Sequence, residues 1–269
     1  MIWTQFILGI LLSIIISLSA WRLKSLSRSG AWAAFFMGCM IFGLGGLSWA
    51  VLLLTFFISS SILSRLFIRQ KRDAIDKFSK GSQRDGGQVL ANGGLGIILI
   101  LLYTFSSHAD WVWVAYIGSL AAVNADTWAT ELGVLSPSLP RLITNGKIVE
   151  KGTSGGITPV GYLAALGGAL LITIVAIPFS ASLPILSILA AGVIGGLIGA
   201  SLDSWLGATA QAIYFCPSCH KETERHPLHT CGAATHLQRG YKWLNNDWVN
   251  FFCSITGALS ASLVYWISL

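Results

Sequence analysis

The sequence predicts an all-α membrane protein, a polytopic bundle of about eight transmembrane helices with a small cytoplasmic zinc-knuckle-like loop. Of its 269 residues, 54% are apolar and only 10% are charged, and the mean hydropathy is +0.70. Soluble domains carry about 25% charged residues. Basic residues are also confined to a few loops, as in multi-pass membrane proteins. The length is therefore best counted in spans of about 20 residues.

The apolar segments give the number of spans. They cover residues 2 to 20, 31 to 64, 88 to 107, 111 to 133, 159 to 180, 183 to 212 and 248 to 268. The second is too long for one helix and is interrupted by glycines, so we expect two helices joined by a tight turn near Gly46. The predicted organisation is a transmembrane bundle over 1–212, a cytoplasmic Cys/His loop over 213–247 and a final transmembrane helix over 248–269.

The basic residues predict the topology. All seventeen fall in four loops: Arg22, Lys24 and Arg28; Arg65, Arg69, Lys71, Arg72, Lys77, Lys80 and Arg84; Arg141, Lys147 and Lys151; Lys221, Arg225, Arg239 and Lys242. With eight spans the four loops face one side, which the positive-inside rule makes cytoplasmic, and both termini lie outside. Positive charges follow the first apolar run rather than precede it, so we expect a span and not a cleaved signal.

The net charge of +6 has the same topological origin. The basic residues are not interleaved with stacking aromatic residues, which argues against nucleic-acid binding. The seven basic residues of 65–84 are suited to anionic lipid headgroups or to an anionic substrate.

Three acidic residues lie inside predicted spans: Asp126, Glu131 and Asp203. Carboxylates within a membrane are costly and mark functional sites by default. All three lie at the cytoplasmic ends of their spans, where Asn124 and Thr127 add polar groups, and such acids suit Mg²⁺ with a phosphate-bearing ligand. The alternative is that each acid only caps or hydrogen-bonds a neighbouring helix.

The loop after the fifth span has the residues that a phosphate would need. Arg141, Lys147 and Lys151 precede a glycine-rich turn that enters the next span, made of Gly152, Thr153, Ser154, Gly155 and Gly156. Backbone N–H groups of such a turn bind anions. Because Lys151 precedes the glycines, the order differs from a Walker A loop. Arg84 and Asn92 add polar groups at the same face.

A cluster of cysteine and histidine residues lies between the seventh and eighth spans. Cys216, Cys219 and Cys231, with His229 preferred over His226 or His236, have the knuckle-like spacing of a tetrahedral zinc site. A cytoplasmic location disfavours a disulfide. Since protein ligands fill all four positions, the zinc is expected to be structural.

Five ordered motifs resemble a known membrane family. They are Asn-Ala-Asp-Thr-Trp-Ala-Thr-Glu-Leu-Gly (124–133), Pro-Arg-Leu-Ile-Thr (140–144), Lys-Gly-Thr-Ser-Gly-Gly-Ile-Thr (151–158), Asp-Ser-Trp-Leu-Gly-Ala-Thr (203–209) and Asn-Asp-Trp-Val-Asn-Phe (246–251). Together they are similar to the transmembrane protein 19 family, also called domain of unknown function 92. Ser154 stands where the family pattern has Asn.

The resemblance implies an activity, because the plant plastid member of that family acts as a phytyl-phosphate kinase. It implies transfer of a phosphoryl group from a nucleoside triphosphate, with CTP expected, to an isoprenoid monophosphate such as phytyl or geranylgeranyl phosphate. Asp126, Glu131 and Asp203 would hold magnesium, and Lys147, Lys151 and the 152–156 loop would bind the nucleotide phosphates. Arg84 and Arg141 would bind the acceptor phosphate. An ion-coupled transporter is the main alternative, and a noncatalytic membrane scaffold is the third.

Overall fold

A computed structural model describes residues 2–66 and 83–268. The described chain forms a helical bundle whose helices are α1 (Ile2–Arg22), α2 (Arg28–Leu66), α3 (Gly86–Phe105), α4 (Asp110–Gly133), α5 (Pro159–Ala176), α6 (Ile185–Thr209) and α7 (Asn246–Ser268). A short 3₁₀ turn, Ile177–Phe179, extends α5. The predicted all-α class is confirmed.

Six helices of the described residues are long and apolar enough to cross a membrane. The seventh, α4, carries the polar run from Asn124 to Glu131, yet it is the most deeply buried helix, with every residue from Val112 to Ala125 inside the bundle. Counting α4 and the two arms of α2, the structure agrees approximately with eight spans.

The α2 helix reverses direction at Gly46, where φ is 70° and ψ is −157°. This left-handed backbone conformation favours glycine. At this end of the bundle the Gln5 side chain donates to the carbonyl of Gly43 at 3.0 Å. At the other end Arg65 donates to the backbone carbonyl of Leu23 and to Ser25 Oγ. The two arms therefore run in opposite directions, which places the predicted turn near Gly46.

Small residues let α4, α6 and α7 pack at backbone distance. A Cβ atom placed on Gly257 would lie 2.4 Å from the Ala122 Cβ, and one on Gly199 would lie 2.5 Å from the same atom. Close helix approach through small residues is the usual way that membrane helices associate. The α4 helix is thereby fixed between its neighbours, and its polar end has a defined position.

The described parts of the four loops that carry basic residues meet at one end of the bundle. Arg84 N donates to Ser25 O at 2.9 Å, Ser64 Oγ to Glu131 at 2.7 Å, and Ser154 Oγ to Gln211 at 3.0 Å. We call this the loop end. The charge distribution predicted this grouping, and the side of the membrane on which the loop end lies stays a prediction. Arg69, Lys71, Arg72, Lys77 and Lys80 lie outside the described residues.

Two small antiparallel sheets order the loop end. In the first, β1 (Arg141–Leu142) pairs with β2 (Gly156–Ile157) and closes the loop that holds the glycine-rich turn. In the second, β3 (Ile213–Cys216) lies between β4 (Lys221–Thr223) and β5 (His236–Arg239). The second sheet carries the cysteine cluster.

Candidate active site and metal centre

A cavity of about 470 Å³ opens at the loop end, among α3, α4, α6, α7 and the glycine-rich turn. Most residues that the sequence singled out line it: Arg84, Asn92, Asp126, Thr127, Glu131, Lys151, Gly152, Thr153, Ser154, Gly155, Gly156 and Asp203. The fold thus brings together residues from four separate segments of the chain.

Asp126 of α4 and Asp203 of α6 form the centre of the cavity. Their carboxyl groups lie within hydrogen-bonding reach of each other. Among the described residues, no hydrogen-bond donor reaches the buried Oδ2 of Asp203. Two ionised carboxylates at this distance repel each other strongly in a poorly solvated site, so a proton or a cation is needed between them.

Glu131 takes a different direction from Asp126. It accepts a hydrogen bond of 2.7 Å from Ser64 of the second arm of α2. Thr127 Oγ1 donates to the Val123 carbonyl of its own helix at 2.8 Å. Residues five apart on a helix point to different sides, so Asp126 faces α6 while Glu131 faces α2.

The glycine-rich turn lies over the end of α6. Gly152 and Gly155 have φ values of 79° and 82°, and a Cβ on Gly155 would lie 2.5 Å from the Ala208 backbone nitrogen. The N–H groups of Thr153 and Gly156 donate to Glu150 O and Thr153 O. Within the described residues, no backbone carbonyl accepts from the N–H groups of Gly152, Ser154 or Gly155. Those three donors suit an anion.

Two cationic side chains of the described residues line the cavity. The Lys151 ammonium donates to the Ser136 carbonyl at 2.6 Å. Arg84 also lines the cavity, and its guanidinium packs over the Phe56 and Phe57 rings at 5.5 and 5.8 Å. Burial lowers the pKa of Arg84 to about 10. The guanidinium therefore remains charged at neutral pH.

Three of the predicted site residues do not line the cavity. Asn124 is fully buried and bridges helices, since its amide donates to Gly168 O at 2.8 Å and accepts from Ser59 at 3.0 Å. Arg141 and Lys147 are exposed. Arg141 donates to the Gly146 carbonyl at 3.0 Å, within its own turn.

Several polar residues that sequence reasoning missed also line the cavity. They include Glu224, Asn246 and Asn250. The two asparagines belong to the Asn-Asp-Trp-Val-Asn motif at the start of α7, which carried a usable signal. Glu224 lies in the cysteine loop and had none, because its place depends on how that loop folds back.

A second, apolar cavity of about 190 Å³ lies among α1, both arms of α2 and α3. We call it the apolar chamber. Its walls are aliphatic and aromatic, and it shares Arg84, Gln88 and Asn92 with the polar cavity. Leu12 and Leu47, which line it, are 41% and 62% exposed. Arg84 thus lies at the junction of a polar and an apolar space.

The cysteine cluster is a candidate metal centre. One ligand atom from each of Cys216, Cys219, His229 and Cys231 lies within 4.8 Å of all the others. The Cys216 and Cys231 sulfurs are 3.6 Å apart, and His229 Nδ1 is 3.4 Å from the Cys231 sulfur. Three thiols and one imidazole could hold a tetrahedral metal such as zinc.

The other two histidines considered as ligands have different contacts. His226 stacks on Tyr214 at 4.4 Å, and His236 packs against Phe215 at 5.5 Å. His229 is therefore the histidine in the cluster. The N–H of Ala233, together with the His229 ring, lowers the pKa of the Cys231 thiol to about 6, which favours the thiolate that binds metal.

Comparison with known sequences identifies the family. The chain matches the family described as integral membrane protein DUF92 over residues 11–258. The chain belongs to this family. The DUF92 match covers every described residue that lines the cavity and the whole cysteine loop, so the site described above lies within the matched region.

Relatives of this DUF92 protein include plant and archaeal proteins. Protein PGR of Arabidopsis thaliana is 33% identical, covering 92% of this chain and 91% of its own length. An uncharacterized membrane protein of Methanocaldococcus jannaschii is 31% identical over 96% of this chain and 93% of its own. Protein VTE6, chloroplastic, also of Arabidopsis thaliana, is 22% identical over 89% of this chain and 65% of its own. No solved structure matches the chain.

Proposed function

We propose that the protein is a membrane prenyl-phosphate kinase. It transfers a phosphoryl group from a nucleoside triphosphate, CTP in our hypothesis, to an isoprenoid monophosphate such as phytyl or geranylgeranyl phosphate. The family supports this proposal, because the motifs resemble a family whose plant plastid member acts as a phytyl-phosphate kinase. The structural support is the arrangement of the two cavities.

The junction at Arg84 is the observation that carries the proposal. A prenyl phosphate has an anionic head and a long apolar tail, so it needs a polar and an apolar site that adjoin. The apolar chamber extends from Phe57, beside Arg84, to Leu47, next to the Gly46 turn. At 1.5 Å per residue these positions are about 15 Å apart along the helix. We assign the tail to this chamber and the acceptor phosphate to Arg84.

The acids at the centre of the cavity fit a magnesium ion. Asp126 and Asp203 would hold it, because their carboxyl groups are in contact and the buried Oδ2 of Asp203 has no donor among the described residues. Oxygen ligands from one or two carboxylates, with water and phosphate in the remaining positions, are what Mg²⁺ prefers. When bound, the ion would offset negative charge on the transferred phosphoryl group. Glu131, bonded to Ser64 on the other wall, would lie farther from it.

The remaining residues bind and orient the two substrates. The N–H groups of Gly152, Ser154 and Gly155 and the Lys151 ammonium would hold the nucleotide phosphates, and Arg84 would hold the acceptor phosphate in line. An oxygen of the acceptor phosphate forms the new bond to the γ-phosphorus. The bond from that phosphorus to the bridging oxygen breaks, and its electron pair leaves on the nucleoside diphosphate. Since the attacking oxygen already lacks a proton at neutral pH, no general base is required.

The test is a transfer assay on the purified full chain in lipid nanodiscs. Phytyl, geranylgeranyl and farnesyl monophosphates are incubated with each of four γ-labelled nucleoside triphosphates and Mg²⁺. We expect labelled prenyl diphosphate, its loss with a magnesium chelator, and its loss in Asp126→Asn.

Absence of transfer for every pair, from protein that keeps its metal and its thermal unfolding transition, would refute the kinase. The same preparation in proteoliposomes distinguishes the transporter. Uptake of a labelled solute without nucleotide turnover would replace the proposed function with transport.

A further inference from the structure

We infer that Glu224 is the third carboxylate of the cation site and that the metal-binding loop is what places it there. This inference rests on the proposed function only in taking Asp126 and Asp203 as the cation's first ligands. Glu224 lines the polar cavity and lies close enough to both aspartates for their charges to interact. It comes from the cysteine loop, directly after β4, rather than from a helix.

One glutamine fixes the position of Glu224. Gln211 is 1% exposed and uses both ends of its amide: Nε2 donates to Glu224 Oε1 at 2.8 Å, and Oε1 accepts from Ser154 Oγ at 3.0 Å. A buried amide with both groups satisfied has a single preferred orientation. Gln211 therefore connects the acid, the glycine-rich turn and the end of α6.

The sheet that carries the cysteines is held against α6. Arg239 of β5 donates to the Gly207 carbonyl at 2.9 Å, and Tyr241 N donates to Ala210 O at 3.0 Å. A Cβ on Gly240 would lie 1.9 Å from the Gln211 carbonyl oxygen, so only glycine allows this approach. The four candidate zinc ligands lie on β3 and on the segments after β3 and β4. Metal binding to these four ligands fixes the strands β4 and β5, and Glu224 lies between those strands in the chain.

The role assigned to Glu224 follows from the distances. Of the residues described, only the cysteine group has three or more ligand atoms all within 4.8 Å of one another, so Glu224 is not drawn tightly onto the aspartates. Magnesium keeps several of its waters when it binds to proteins. Glu224 therefore acts on the ion's water ligands and adds a third negative charge to the site. Groups of this kind change metal affinity by about 10- to 100-fold.

The experiment measures cation binding directly, without nucleotide or turnover. Mn²⁺ is titrated into the zinc-loaded full chain in nanodiscs and free Mn²⁺ is followed by electron paramagnetic resonance. We expect Glu224→Gln to weaken Mn²⁺ binding about tenfold. Glu222→Gln is the matched control, because Glu222 lies two residues earlier on β4 and faces Arg239 at 4.0 Å instead of the cavity. It should leave Mn²⁺ affinity unchanged.

Two further variants test how Glu224 is placed. Gln211→Asn shortens the amide but leaves all four cysteine-cluster residues, so it should retain the zinc content of the wild type and still weaken Mn²⁺ binding. Combined with Glu224→Gln it should add little, since both changes remove one interaction. Cys219→Ser should lose zinc and lose Mn²⁺ affinity to a similar extent.

The results separate this inference from the proposed function. If wild-type protein binds Mn²⁺ and Glu224→Gln binds it equally well, the role of Glu224 is wrong while the cation site stands. If wild-type protein binds no Mn²⁺ at all, the cation site of the proposed kinase is itself wrong. Full additivity of Gln211→Asn and Glu224→Gln would show that Gln211 does not act through Glu224.

Discussion

Asp126 and Asp203 place their carboxyl groups in contact at the loop end, although they come from α4 and α6. Neither helix could supply this pair alone. The glycine packing that brings α4, α6 and α7 to backbone distance sets the separation of the two acids. The chemistry of the site therefore depends on how tightly the centre of the bundle packs.

Asp126→Asn and Asp203→Asn should each lower the turnover number by about 100-fold or more, because each removes a carboxylate that would hold the magnesium ion, and that ion would offset the negative charge of the transferred phosphoryl group. The double variant should be little worse than either single one, since the two act as a unit. Asp110→Asn is the control, because Asp110 begins the same helix at the opposite end. Initial rates of labelled prenyl diphosphate formation check the prediction. Full turnover by either single variant would contradict it.

Arg84→Gln should raise the KM for the prenyl monophosphate about tenfold with a smaller effect on turnover, because it removes a charged contact to the substrate's phosphate. Arg28→Gln, an exposed arginine near the same end, is the control. The pKa of Arg84 is lowered to about 10 by burial, so its charge is constant through neutral pH and is lost as pH rises through 10. The ratio of the KM of Arg84→Gln to the KM of the wild type should therefore stay constant between about pH 6.5 and 8.5. A variant KM equal to that of the wild type would remove Arg84 from the acceptor site.

Ala50→Phe should shorten the prenyl chain that the protein accepts. Ala50 lines the apolar chamber about two turns from Phe57, away from Arg84. A ring at this depth obstructs a long tail but leaves room for a short one, so the ratio of kcat/KM for geranylgeranyl to geranyl phosphate should fall about tenfold. Leu11→Phe, on the exposed face of α1, should not change the ratio. An unchanged ratio in Ala50→Phe would place the tail elsewhere.

Gly257→Ala should destabilise the bundle by about 1–3 kcal/mol, because the added methyl would lie 2.4 Å from the Ala122 Cβ and 2.5 Å from the Gly118 carbonyl oxygen. Gly94→Ala is the matched control. Its methyl would meet only Leu90 of the same helix, at 3.8 Å, and alanine is the better helix former. Thermal unfolding in detergent compares the two, and equal transition temperatures would contradict the packing argument.

Hydropathy and charge predict most of the fold because the membrane imposes simple rules on a sequence. The reversal of α2 at Gly46 was predictable, since an uncharged run of that length exceeds one span. Three further features were predictable: the polar end of α4, Asp203 and the cysteine cluster. Each contains residue types that are unusual in the sequence around it.

The remaining features depend on how each helix is rotated about its axis and on how the loops fold. Asp126 and Glu131 are close in sequence, yet the helix turns them toward different neighbours, and only the packing decides which acid meets Asp203. Arg141 and Lys147 are exposed, whereas Lys151 of the same loop lines the cavity, and this difference depends on how the loop between β1 and β2 folds. The apolar chamber could not be predicted from the sequence, because residues that line a void have the same composition as residues that fill a core.

The hairpin that the reversal at Gly46 creates lines a different cavity from the later part of the chain. The first 66 residues form most of the wall of the apolar chamber, whereas the acids, the glycine-rich turn and the metal-binding loop all come from residues after 120. If the proposed function holds, lipid preference and phosphoryl transfer would be encoded in separate stretches of sequence that meet at Arg84. Exchanging the amino-terminal hairpin between relatives should then change the accepted lipid without altering the residues proposed for phosphoryl transfer.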